Sequence, residues 1–126
     1  IKFHNSLSEK ISELNIDKAF IQRYLNVGFS GGEKKQMEII QLLTLRPKYV
    51  ILDEIDSGLD VDALKMVAAG INKFRSPETA VLMITHYNRI LSLVQPDYVH
   101  IMREGKIVES GGAKVAERIE ADGYKG

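Results

Sequence analysis

The sequence predicts an α/β domain: a mostly parallel sheet with flanking helices and a terminal β-hairpin, preceded by a small helical subdomain. Three observations carry this expectation. Two short runs, Tyr49–Asp53 and Ala80–Thr85, are apolar up to their last residue and read as buried strands. A helix-patterned segment lies between them, and strands joined through a helix run parallel. Farther on, Glu104-Gly105 stands between Tyr98–Met102 and Lys106–Glu109, which reads as a hairpin with a type I′-like turn.

The elements follow in order. Phe3, Leu7, Ile11 and Leu14 are spaced for one face of a helix. Asp17 reads as the cap of a second short helix carrying Phe20, Ile21, Tyr24 and Leu25. Gly28 breaks that pattern, and Phe29-Ser30-Gly31-Gly32-Glu33 leads into a helix over Lys34–Arg46 that is closed by Pro47. Its apolar positions, Met37, Ile39, Ile40, Leu42, Leu43 and Leu45, cover a wide arc and predict a well-buried helix. After the first strand, Asp60 and Asp62 open a helix with Leu64, Val67, Ala68, Ile71 and Phe74 on one face, stopped by Ser76-Pro77. The second strand ends at His86. Asn88–Leu93 reads as a short helix, Ser110-Gly111-Gly112 as a loop, and Ala113–Glu120 as a final helix.

Totals bound the function. The chain has 126 residues, enough for one domain with a core. Lys+Arg and Asp+Glu each number 17, so no net charge points to nucleic acid or an anionic membrane. No apolar run approaches the roughly 20 residues that cross a bilayer, so direct membrane insertion is not expected. A start at Ile1 rather than Met is expected of a fragment or a processed product. With no cysteine, this chain offers no disulfide, no thiol nucleophile and no thiolate for zinc or an iron–sulfur cluster. That usage fits the cytoplasm or an organellar stroma.

Three stretches carry candidate chemistry. Asp53, Glu54, Asp56 and Asp60 place four carboxylates within eight residues, the first two at the carboxyl end of a strand, where open α/β sheets bind ligands. Acids there need a cation, a donor or water, and a phosphate-bound magnesium ion suits them. Many acidic pairs, however, only mark a strand meeting a polar turn. Ser30-Gly31-Gly32 before a helix offers free N–H groups, a positive dipole end and a hydroxyl to an anion, although by itself a glycine-rich cap is the commoner meaning. His86 after a strand is, alone, more often a satisfied polar residue; His4 and His100 keep that meaning.

Taken together, these stretches resemble the second half of an ATP-binding-cassette (ABC) ATPase. Phe29-Ser30-Gly31-Gly32-Glu33 resembles the signature usually written Leu-Ser-Gly-Gly-Gln. Tyr49–Asp53 resembles the Walker B strand, Ser57-Gly58-Leu59-Asp60 the D-loop, and Thr85-His86 the switch histidine. Each motif is weak alone, and all four in this order are specific. The likeness runs from about Asn26 to Gly112. Ile55-Asp56-Ser57-Gly58, where transporter ATPases usually carry Pro-Thr-Ser-Ala, narrows it to the SufC-like ATPases of iron–sulfur cluster assembly. Gln36-Met37 departs from the Arg usual after the signature. No Gly-x-x-x-x-Gly-Lys-Ser/Thr occurs, so the Walker A phosphate loop is missing from these residues.

The resemblance implies a P-loop NTPase fold. Residues 1–46 would form the helical subdomain with the signature, and 47–126 the C-terminal part of the catalytic core. It implies ATP and Mg²⁺, with Asp53 holding the metal, Glu54 activating water and His86 sensing the γ-phosphate. Ser30, Gly31, Gly32 and Glu33 would meet ATP held by the opposite protomer of a homodimer, with Asp60 at that interface. The implied partners are SufB- and SufD-like scaffold proteins. Alternatives are the nucleotide-binding subunit of an ABC transporter and a truncated, non-catalytic interaction module. By itself the chain is expected to be inactive, since it lacks the phosphate cradle. A further possibility pairs Lys34 or Lys35 with Glu54 when nucleotide is absent.

Overall fold

Residues 2–14, 16 and 28–122 are described in a computed structural model, and they form two compact units, one running to Thr85 and one from His86. The second short helix expected around Asp17–Leu25 lies outside the described residues.

In the first unit, α1 (Lys2–Glu13) packs on α2 (Gly31–Leu45), and α2 packs on α3 (Val61–Phe74). Met37, Ile39, Ile40, Leu42 and Leu43 of α2 are buried as their spacing requires. Leu45 is not: it is 73% exposed, since α2 ends there and Arg46 turns the chain away with a left-handed φ of 45°. Leu64, Val67, Ala68, Ile71 and Phe74 line the buried face of α3. The two helices approach closely at Gly70, where an added Cβ would stand 2.2 Å from Ile39 Cγ2. Glycine here admits the neighbouring helix.

β1 (Tyr49–Asp53) and β2 (Ala80–Ile84) pair in parallel, with Tyr49 opposite Ala80 and Asp53 opposite Ile84. Two-sided burial was expected of both strands and is not what the chain adopts. Tyr49 and Ile51 are 81% and 68% exposed, while Leu52 is buried. Apolar residues at both alternations therefore leave one face of this pair open.

The second unit begins with a one-turn 3-10 helix, Asn88–Ile90, shorter than the helix expected over Asn88–Leu93. β3 (Val99–Arg103) and β4 (Lys106–Gly111) form the expected hairpin, and Glu104 and Gly105 both have positive φ, 47° and 74°. That is the geometry of a type I′ turn. Ser110 and Gly111 belong to β4 rather than to a loop, and an irregularity between Ile101 and Met102 leaves Val108 without a partner in the register. α4 (Ala113–Asp122) packs on both strands, burying Ala116 and Ile119. Among the described residues the strands form two separate two-stranded sheets rather than one. No helix among them is long and apolar enough to cross a membrane.

Two predictions follow from the first unit's packing. Lys73 of α3 bonds to Glu13 of α1, and this contact lowers the pKa of the Glu13 carboxyl; burial opposes it and Lys10 adds to it. The contribution to stability is present above the ordinary Glu range and is lost as pH falls through the lowered value. Lys73→Ala should move the Glu13 titration upward, followed by NMR of its side-chain carboxyl carbon. Gly70→Ala, which in an open helix would gain about 1 kcal/mol, should instead cost ~1–3 kcal/mol through overpacking. A lowered denaturation midpoint that partly recovers in an Ile39→Ala background would show that Cγ2 is the obstacle.

Candidate functional site

The acidic stretch is built where the parallel ladder ends. Asp53 closes β1 and is exposed. The N–H of Glu54 donates to Ile84 O at 2.9 Å, which carries the β1–β2 connection one residue past the strand. Glu54 then takes a left-handed φ of 47°, a conformation costing a non-glycine residue roughly 1–3 kcal/mol. The Ser57 N–H returns to Glu54 O at 3.0 Å and closes a tight turn. Within that turn Ile55 and Asp56 are buried. Gly58 supplies a second positive φ, 70°, and Leu59 turns inward. Asp60 ends the loop as the N-cap of α3, accepting the Ala63 N–H at 2.8 Å.

The serine–glycine stretch is part of a helix rather than a turn ahead of one. α2 begins at Gly31, three residues before the expected start, and Ser30 is its N-cap. Ser30 Oγ accepts the Glu33 N–H at 3.2 Å, and Glu33 Oε2 accepts the Ser30 N–H at 2.8 Å. This reciprocal pair is a capping box, and it gives Ser30 and Glu33 a structural task that operates without any ligand. The Ser30 hydroxyl still has a proton to donate. A Cβ on Gly31 would have no atom within 4 Å, so this turn of the helix faces open space. A Cβ on Gly32 would lie 4.0 Å from Leu59 Cδ2, which brings the start of α2 against the loop that ends in Asp60.

Five of the sequence-derived candidates thus share one region of the first unit: Ser30, Gly31, Gly32 and Glu33 at the start of α2, and Asp60, which follows the Leu59 that lies beside Gly32. Asp53 and Glu54 stand at the head of that same loop. Lys35 Nζ lies 3.3 Å from Glu38 on its own helix. His86 begins the second unit; it is exposed, and its ring lies 4.0 Å from that of Tyr87, tilted by 38°.

The residues present suit a magnesium–nucleotide group. Magnesium binds through one or two carboxylates with phosphate oxygens and water, and Asp53 at an open strand end can serve so. Among the described residues no three His, Cys, Asp or Glu side chains gather as a metal cage. The open space at Gly31 admits a bulky anion to the N–H groups of the first turn of α2.

Sequence reasoning missed Asp56 as a working residue. It accepts the Thr85 hydroxyl at 2.6 Å across 29 residues. Its neighbours Ile55 and Ser57 give no hint of burial, because that burial depends on a strand end distant in sequence.

The geometry sets a parallel pair ending in acids beside a capped helix that opens on two glycines. No protein-family model matches the chain. It is 56% identical over 124 residues to vegetative protein 296 of Bacillus subtilis (strain 168), covering 98% of this chain and 48% of that protein. It is 52% identical over 124 residues to a probable ABC transporter ATP-binding protein of Streptococcus pyogenes serotype M3, with the same coverages, 98% and 48%. A probable ATP-dependent transporter of Cyanophora paradoxa is 46% identical, again over 98% of this chain and 48% of its own length. Among solved structures, the ATP-binding cassette MJ1267 of an ABC transporter, in its ADP conformation, superposes with a TM-score of 0.71 at 19% identity, over 97% of this chain and 47% of that one. The chain spans about half the length of the curated relatives it matches. Over nearly all of its length the chain is thus similar to about half of ABC ATP-binding proteins, and it shares the fold of part of an ATP-binding cassette.

The capping box yields a prediction. Ser30→Ala should cost about 1 kcal/mol of stability. Adding Glu33→Ala should cost less than the sum of the single changes, because each substitution already breaks one half of the pair. Denaturant unfolding of the three variants measures this.

Proposed function

We propose that this chain supplies the signature, Walker B, D-loop and switch-histidine part of an ATPase acting in iron–sulfur cluster assembly, of the SufC-like kind. The observation that carries the reading is the joint placement of Asp53 and Glu54 at the end of a parallel strand, with the opened turn of α2 lying against the same loop. Residues 1–46 would act as the helical subdomain and 47–126 as the C-terminal part of the core. Bound MgATP would supply the phosphoryl group and the metal's neutralising charge. Asp53 would hold the metal through an oxygen or a metal-bound water. Glu54 would accept a proton from the attacking water. His86 would donate to the γ-phosphate. Ser30, with the N–H groups of Gly31 and Gly32, would contact ATP on the opposite protomer of a homodimer. Glu33 would hold that turn in shape, and Asp60 would stand at the dimer interface.

The lack of cysteine means that a cluster would be assembled on partner proteins, which we take to be SufB- and SufD-like scaffolds in the cytoplasm or a stroma. A second reading, the nucleotide-binding subunit of a membrane transporter, is favoured by the names of the streptococcal and Cyanophora relatives. It uses the same chemistry. Ile55-Asp56-Ser57-Gly58 supports the first.

In the complete gene product, Glu54→Gln should lower ATP hydrolysis by roughly 10²-fold or more while ATP binding persists. Wild-type turnover by that variant would remove Glu54 from its role. Isolation of the native complex separates the two readings: a soluble scaffold supports cluster assembly, and a membrane permease overturns it.

A further inference from the structure

Asp56 is the only charged side chain buried among the described residues, at 2% exposure. Its Oδ2 accepts the Thr85 hydroxyl at 2.6 Å, while its Oδ1 has no hydrogen-bond partner. Burying a carboxylate forfeits strong hydration, and one unmatched oxygen leaves part of that loss uncompensated. A buried, half-satisfied acid in a stable fold calls for a reason.

Making the turn is not that reason. The Ser57 N–H closes it on Glu54 O at 3.0 Å, Gly58 supplies the positive φ, and Asp60 caps the helix that follows. None of these uses the Asp56 side chain. Its bond instead reaches the end of β2. The strand register stops at Asp53 and Ile84, and the Glu54 N–H adds one bond to Ile84 O. Beyond that point the Asp56–Thr85 bond again connects the loop after β1 with the end of β2. It prolongs the ladder with side chains where the backbones part. Thr85 is also the residue immediately before His86.

We infer that Asp56 is a positioning residue. It bolts the loop carrying Asp53, Glu54 and Asp60 to Thr85, and so fixes the backbone from which His86 departs. The bond would then hold the loop of the water-activating acid against the end of β2. The inference rests on the ATPase reading above.

The test uses the complete gene product with Asp56→Ala, Asp56→Asn, Thr85→Val and Thr85→Ser. Asp56→Ala and Thr85→Val remove the bond from either side. Each should lower kcat by roughly tenfold to a hundredfold, the scale of a small misplacement, with KM for ATP moving less than about threefold. Asp56→Asn keeps an acceptor and Thr85→Ser keeps the donor, so both should stay within about threefold of wild type. The Asp56→Ala/Thr85→Val double variant should lose no more than the worse single one. Wild-type kcat in both bond-breaking variants overturns the inference, and so do losses that multiply in the double variant. Thr85→Val keeps side-chain volume and carries the comparison if Asp56→Ala does not fold. NMR of the His86 ring gives a readout independent of turnover: both bond-breaking variants should shift it and Thr85→Ser should not. Unmoved His86 signals overturn the positioning role even if the wild-type protein hydrolyses no ATP, an outcome that would by itself sink the ATPase reading.

Discussion

Two parallel strands cannot be joined by a tight turn. The chain leaving β1 must cross back along the sheet before β2 can begin, and here α3 makes that crossing. This constraint decides what the strand ends can do. Both strands finish on the same edge, so Asp53 and Ile84 are register partners and the residues after each lie side by side. The loop after β1 then has two tasks. It must present its acids and also reach the start of α3, which it does by ending in the Asp60 cap. Site and crossover share the same eight residues.

Helix-end chemistry serves the site in the same way. Ser30, Glu33 and Asp60 each satisfy backbone N–H groups that would otherwise go unmatched. Those bonds fix the loop conformations before any ligand arrives, so their preorganisation carries no further cost at binding. The structural and functional meanings of these residues therefore do not compete. A capping box also selects where α2 begins, and by setting the start at Gly31 it places both glycines in the first turn, where N–H groups point outward.

The local chemistry was largely legible in the sequence, because it depends on near neighbours. Asp60 as a cap, Pro47 after α2 and the type I′ turn at Glu104-Gly105 all follow from residues within a few positions of one another. What failed depends on partners far along the chain. Tyr49 and Ile51 read as doubly buried because apolar residues fill both alternations, yet a sequence pattern records which faces are fit for burial, not what covers them. α2 starts three residues before the expected position because in a first turn the capping serine outweighs the propensity cost of two glycines. Of the candidate site, the placement of Asp53 and Glu54 at a strand end and of Ser30 at a helix start was readable, and the bonding of Asp56 was not, since its partner is the distant Thr85.

The fold contains a useful contrast for that last residue. Two buried side-chain oxygens among the described residues lack partners, Asp56 Oδ1 and Asn88 Oδ1. Asn88 has an evident structural use: its amide donates to Ile119 O at 2.7 Å, satisfying a carbonyl in the last turns of α4. A neutral amide with one idle acceptor is a modest expense for anchoring a helix end. Asp56 differs in kind. It anchors no helix terminus, and a side chain that never ionises could have accepted the same hydroxyl. Its bond instead joins the loop after β1 to Thr85, 29 residues farther on, at the end of β2. On the positioning role proposed above, that bond serves the candidate site, whereas the asparagine serves the scaffold.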